Sequence, residues 1–158
     1  MPDTRFTAPS LIDVYPYRMS CGAVHFMMFR RAKGTLYEGQ WRMIGGKVMA
    51  GETAAAAAQR EFKEETSLDA ELFWCVPSVN SFFDFERNML HHIPVFACSC
   101  KTEAKPVLNH EHDSYGWFTA AEAAKLTAWP EQQRLIRLIE RILLHQDSLP
   151  NEWILSRP

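Results

Sequence analysis

Apolar residues along this chain fall into strand-like runs separated by helix-like ones. Cys21 to Phe29 is a nearly unbroken apolar run of strand length, closed by Arg30 and Arg31, and reads as a strand buried on both faces. Leu11 to Arg18 is also strand-like, and Pro16 within it predicts an edge or a bulge, because proline has no N–H for a ladder. Ala32 to Gln40 is a loop marked by Gly34 and Gly39, and Trp41 to Ile44 is a short strand that delivers Gly45 and Gly46. Ala70 to Phe83, broken near Pro77, and Met89 to Cys100 flank a turn at Asp84 to Arg87 and predict a hairpin. Lys101 to Asp113 is a polar loop, and Ser114 to Phe118 is a short aromatic strand.

The helical segments carry their own start signals. The alanine run Ala54 to Ala58 predicts a helix over roughly 53–66. Thr119 followed by Glu122 has the form of a capping box and opens a helix to about Leu126. Pro130 opens another, to about His145, with Leu135, Leu138, Ile139, Ile142 and Leu143 on one face. Residues 1–10 and 147–158 read as flexible ends, although Trp153, Ile154 and Leu155 suggest that the second end docks. Strands interleaved with helices predict an α/β domain over residues 1–158, with a mixed sheet between helices.

Composition adds a few exclusions. At 158 residues the chain can bury a substantial core as one domain. A net charge of −2 gives no reason to expect a stable nucleic-acid partner or a membrane surface. No apolar run reaches membrane-spanning length, and three prolines with scattered charges in the first twenty residues do not read as a signal peptide. Cys21, Cys75, Cys98 and Cys100 form no C-x-x-C pair, which fits reduced thiols in a cytoplasmic protein.

The candidate chemistry centres on Gly46 to Leu68. A glycine loop leads into the alanine helix, which ends in carboxylates: at 3.6 residues per turn, Glu61, Glu64 and Glu65 fall within an arc of roughly 100°. Like charges so placed repel unless cations hold them, and hard divalent ions such as Mg2+ or Mn2+ reach phosphate substrates through a few carboxylates. Arg60 is placed to reach back two turns to Glu52 and pin the loop to the helix. Lys47 supplies a cation on the loop, facing phosphate or solvent. The cluster His110, Glu111, His112 and Asp113 precedes the aromatic strand, where sheets place functional side chains, and lacks the further ligands zinc would need.

The spacing Gly46, Glu52, Arg60, Glu61, Phe62, Glu64, Glu65, Ser67, Leu68 resembles the box of the Nudix hydrolases, G-x5-E-x7-R-E-U-x-E-E-x-G-U with U a bulky aliphatic. Phe62 is aromatic where an aliphatic is usual, and Ser67 replaces a glycine that ends the helix in a left-handed conformation. The resemblance implies an α/β/α sandwich. It implies Glu61 and Glu65 as main metal ligands, Glu64 beside them, and the Gly45 carbonyl as a further ligand. It also implies Arg30, at the end of the preceding strand, as a phosphate or base contact; Arg31 points to the opposite face and has less claim. The segment Glu111-His112-x-x-Tyr115-x-Trp117 is similar to one in dihydroneopterin triphosphate pyrophosphatases, which makes Glu111 the implied base or extra metal ligand, with Asp113 in reserve. The implied activity is Mg2+- or Mn2+-dependent hydrolysis of a nucleoside triphosphate or another nucleoside diphosphate linked to a second group. Dinucleoside polyphosphates, nucleotide sugars, coenzyme diphosphates, a silent nucleotide-sensing role and assembly as a homodimer stay open.

Overall fold

The computed structural model describes residues 8–156; the expected flexible arm at residues 1–10 falls largely outside them. The strands are β1 (Leu11–Ser20), β2 (Ala23–Arg31), β3 (Trp41–Arg42), β4 (Ile44–Lys47), β5 (Leu72–Asp84), β6 (Met89–Ser99), β7 (His112–Thr119) and β8 (Ile154–Ser156). The helices are α1 (Ala54–Thr66), α2 (Ala120–Leu126) and α3 (Pro130–His145), with a 3-10 turn at Asn151–Trp153. Among the described residues no helix is long and apolar enough to cross a membrane.

All eight strands join one mixed sheet, ordered β3-β2-β1-β6-β5-β8, with β4 on β1 and β7 on β2. The β1–β6 pair is parallel and the others are antiparallel. Strand β1 therefore lies inside the sheet, against the edge position that Pro16 predicted. One side of β1 pairs with β4 over Leu11 to Val14 and then with β2 over Tyr17 to Ser20. Pro16 falls in the gap between these partners, where no ladder donor is needed. The sheet splits at this gap.

One face of the sheet packs on α1 and the other on α2 and α3. Ile12, Val14, Met27, Phe29 and Ile44 meet Ala57, Ala58 and Phe62 of α1. Tyr15, Tyr17, Phe26, Met28 and Trp74 meet Ala123, Leu135, Ile136 and Ile139 on the far side. Alanines at 57 and 58 let the helix approach the sheet closely, and Phe62 fills the remaining depth edge-on to Phe73, with ring centroids 6.1 Å apart. Its burial is worth about 1.5–3 kcal/mol. The aromatic variant at position 62 is thus accommodated by aromatic packing.

Other local expectations meet the structure directly. Thr119 and Glu122 form the full capping box; Thr53, read from the sequence as the start of the helix, instead caps α1 by accepting from the Ala56 N–H at 3.1 Å. Ser67 adopts the left-handed conformation, φ 59°, and its N–H donates to the Lys63 carbonyl at 2.8 Å. The segment after α3 is no loose tail through residue 156. Trp153 stacks on Trp74 at 6.3 Å, and β8 adds an edge strand to β5.

Candidate functional site: a carboxylate cluster between helix α1 and the loop before β7

Two arginines organise the carboxylates. Arg60 grips Glu52 with both ends of its guanidinium fork, at 2.8 and 3.0 Å, and donates to the Lys47 carbonyl at 2.9 Å. Its Nη1 also reaches Glu61 at 2.7 Å and Glu64 at 3.2 Å. One guanidinium thus ties the loop, the helix start and the acidic face together. This bidentate pairing drops the Glu52 carboxyl to about 2, with the Met49 N–H adding a bond to it. The cation that sequence reasoning asked for on the acidic face is met here in part by Arg60. Glu61 sits against Gly46, where any β-carbon would overlap its carboxyl carbon.

Glu65 has a different environment. Its side chain is 1% exposed, at the end of α1, and neither carboxylate oxygen has a hydrogen-bond partner among the described residues. Burial, then the charges of Glu111 and Glu61, push its carboxyl up to about 9. His112 Nδ1 stands 3.3 Å from Glu65 Oε2 without hydrogen-bond geometry. Burial pushes that imidazole down to about 4, with Arg31 adding to the effect, so burial favours the neutral form of both partners over an ion pair. Glu61 is also raised, chiefly by burial, with Arg60 opposing.

Glu111 lies immediately before β7. Its carboxylate accepts from Arg31 Nη1 at 2.9 Å, and its carbonyl accepts the Ala32 N–H. Arg31 also donates to the Leu36 carbonyl at 3.0 Å. The two arginines ending β2 do point to opposite faces, and Arg31 is the one that meets Glu111. Arg31 shares the parity of Met27 and Phe29, which face α1. Arg30 lies on the other parity and pairs with Asp113 at 2.7 Å, both about 40% exposed. A register shift at Arg30/Arg31 brings Arg31 opposite His112, so His112 belongs to the sheet and not to the polar loop. Lys47 is exposed, and its backbone carbonyl is what the network uses. Gly45 pairs with Asp13 across the β1–β4 ladder.

Sequence reasoning ranked Arg31 below Arg30 and gave His112 no role of its own, although strand parity counted from Phe29 puts Arg31 on the α1 face. It also left a neighbouring cluster of aromatic rings around Arg42 unassigned. Arg42 lies over the rings of Tyr37 and Trp129, at 4.3 and 4.5 Å, and Phe82 continues the aromatic wall from Trp129. Arg42 Nε has no hydrogen-bond partner among the described residues. Its charge bears on both His112 and the buried Asp13, so its field reaches the residue that touches Glu65. Asp13 accepts from Asn80 at 2.7 Å, and burial raises its carboxyl to about 6.

Among the described residues no three acidic, histidine or cysteine side chains form a ready-made metal cage. The cause is visible: Arg60 holds Glu61 and Glu64, and Arg31 holds Glu111. The orphaned oxygens of Glu65, surrounded by further carboxylates, fit a hard cation with oxygen ligands.

Known proteins resemble this chain in sequence and in fold. The dihydroneopterin triphosphate diphosphatase of Escherichia coli K12 is 28% identical over 113 residues, covering 63% of this chain and 74% of that protein. The solved structure of the E. coli dihydroneopterin triphosphate pyrophosphohydrolase superposes with a TM-score of 0.71 at 24% identity, over 85% of this chain and 98% of that one. A C. elegans Ap4A hydrolase in a binary complex gives 0.72 at 21% identity, over 86% and 98%. The NUDIX domain family model matches residues 13–139, which contain strands β2 to β7, most of β1, the box helix and the loop with Glu111. The chain belongs to the NUDIX domain family and is a Nudix-type hydrolase.

Proposed function

We propose that the chain hydrolyses a phosphoanhydride in a nucleoside triphosphate or a similar heterocycle-bearing triphosphate, releasing pyrophosphate in a Mg2+- or Mn2+-dependent reaction. The observation that carries this reading is the buried Glu65 carboxylate with both oxygens unpartnered, in reach of the charges of Glu111, Glu61 and Glu64. Glu61, Glu64, Glu65 and the Gly45 carbonyl would hold the metal, with Glu111 adjoining. When bound, the metal neutralises charge on the diphosphate and acidifies a water.

The chain's own residues do the rest. Arg60 fixes the loop and the acidic face in one geometry, so little reorganisation is needed when a polyphosphate arrives. Glu111 accepts the proton of the attacking water, and Arg31 keeps it aimed over α1. Lys47 and Arg30, exposed at the rim, meet outlying phosphate oxygens. The Tyr37, Trp129 and Phe82 wall stacks the heterocycle, and Arg42 donates to its acceptor edge. The activity of the E. coli relative, on dihydroneopterin triphosphate, supports a flat bicyclic ring as the group recognised.

The test is a panel of nucleoside and pterin triphosphates, dinucleoside polyphosphates and nucleotide sugars, each with Mg2+ and Mn2+ and with products identified. Triphosphates are expected to turn over fastest, giving monophosphate and pyrophosphate. Faster turnover of dinucleoside polyphosphates would move the substrate class towards that of the Ap4A hydrolase. Metal-dependent binding without turnover of any compound would replace hydrolysis with sensing.

A further inference from the structure

We propose that His112 is a positioning residue for Glu65: its Nδ1–H donates to one carboxylate oxygen and so fixes which oxygen faces a bound divalent cation. The inference rests on the reading that Glu65 is a metal ligand.

Both side chains are 1% exposed, and the three polar atoms concerned, Glu65 Oε1 and Oε2 and His112 Nδ1, lack hydrogen-bond partners among the described residues. Buried polar groups are nearly always paired, so three orphans within one contact call for an explanation. The groups whose charges bear on Glu65 are Glu111, Glu61, Glu64 and Arg31. Ionised carboxylates cannot donate, and Arg31 is engaged by Glu111 and the Leu36 carbonyl. His112 is the neighbour left with a donor to give.

The backbone holds it there. His112 begins β7, in register with Arg31 of β2, and its ring packs against Phe29 with centroids 5.2 Å apart. Glu65 lies in the last turn of α1, beside Thr66, whose hydroxyl donates to the Phe62 carbonyl at 2.6 Å. The present separation of 3.3 Å is roughly 0.4 Å longer than an ordinary N–H···O bond. A cation drawing on the other Glu65 oxygen leaves Oε2 as the acceptor for Nδ1–H. Partners of this kind, one layer behind a metal ligand, commonly control affinity by 10- to 100-fold.

Two variants of the full chain separate a donor from a space-filling ring. His112→Phe keeps an aromatic ring against Phe29 and removes the donor; His112→Asn places an amide N–H near the Nδ1 position. Mn2+ affinity is measured without substrate, by the paramagnetic resonance of free Mn2+. The expected result is a loss of about 10-fold or more for His112→Phe and less than about threefold for His112→Asn, with metal-free melting near wild type. Wild-type affinity in His112→Phe, or equal losses in both variants, overturns the proposal. Glu65→Gln is the control: if it too binds Mn2+ like wild type, the ligand assignment fails and this inference falls with it. If His112→Phe does not fold, nitrogen-15 shifts of the wild-type imidazole in Mg2+ decide. An Nδ1-protonated ring supports the assignment, and an Nε2-protonated ring overturns it.

Discussion

Gly46 and Glu61 share one space: a β-carbon on Gly46 would overlap the Glu61 carboxyl carbon. The glycine is needed for closeness and not for an unusual backbone, since its φ is not positive. Gly46→Ala should therefore push Glu61 off its seat between β4 and Arg60. A fall in kcat/KM on the order of 10²-fold is expected, because a displacement of about 1 Å can cost that much. Gly45→Ala is the steric control, since its β-carbon would lie an ordinary 3.5 Å from Asp13, and it should melt near wild type. Full activity in Gly46→Ala would show that the Glu61 position does not matter to the reaction.

Arg60 acts through geometry, by its contacts to Glu52, Glu61, Glu64 and the Lys47 carbonyl. Arg60→Ala leaves three carboxylates without their shared cation. Steady-state kinetics should show a loss mainly in kcat, and the melting temperature should fall. A change confined to KM would instead place Arg60 against the substrate.

Stability without metal should depend on pH in a defined direction. Glu65 is raised from 4.5 to about 9, so over that interval the folded state holds a proton that the unfolded state has lost. Stability then falls as pH rises. His112 is lowered from 6.5 to about 4 and works oppositely, losing stability as pH falls below 6.5. The two effects oppose each other in the acidic range. From pH 6.5 to 9 only the Glu65 effect of this pair operates, and the melting temperature of metal-free protein should decline. Glu65→Gln should flatten that decline, raise the melting temperature near pH 8 and abolish most activity. Each kcal/mol recovered corresponds to about 2–4 °C. Metal binding near pH 7 should release protons, seen as a buffer-dependent heat in calorimetry. A melting temperature that stays level over this range in wild type would place Glu65 in a wetter setting.

Ser67 sits at φ 59° with its N–H on the Lys63 carbonyl. Glycine pays no β-carbon penalty there, so Ser67→Gly should be neutral or stabilising by up to about 1 kcal/mol in urea unfolding. A clear destabilisation would reveal a contact made by the serine hydroxyl.

Ser67 also shows how much the sequence made legible. Spacing within α1 determined the box, its caps and its acidic face, because helical periodicity and capping are local. Strand positions depended on partners far along the chain. Pro16 looked like an edge signal, yet its missing donor falls where β1 changes partner from β4 to β2. Arg31 was ranked below Arg30, and His112 was placed on the loop, for a related reason. Which face of β2 meets α1 is set by packing with Met27 and Phe29, and a register shift beside Arg31 brings His112 inward. The cluster of Tyr37, Arg42, Phe82 and Trp129 gathers a loop, a two-residue strand, a hairpin strand and a helix cap, and no single window of sequence contains it.

Glu111 offers the sharpest kinetic test. Attack on a phosphoanhydride needs a water that gives up a proton on the side opposite the leaving group. Glu61 and Glu64 are held by Arg60, and Glu65 is enclosed, whereas Glu111 enters from a separate segment on one guanidinium contact. Its charge bears on both Glu61 and Glu65, so it lies within their field. Glu111→Gln keeps the shape and a hydrogen bond but removes basicity, and kcat should fall on the order of 10²-fold or more with little change in KM. The acidic limb of the pH–rate profile should vanish. Arg31→Gln should lower kcat less, by misaiming Glu111, and the double variant should be no worse than Glu111→Gln alone, because the arginine acts through the carboxylate. Additive losses would mean that Arg31 works independently of Glu111. A near-wild-type kcat with an unchanged profile in Glu111→Gln would make it a bystander and pass the role of base to Glu61 or Asp113.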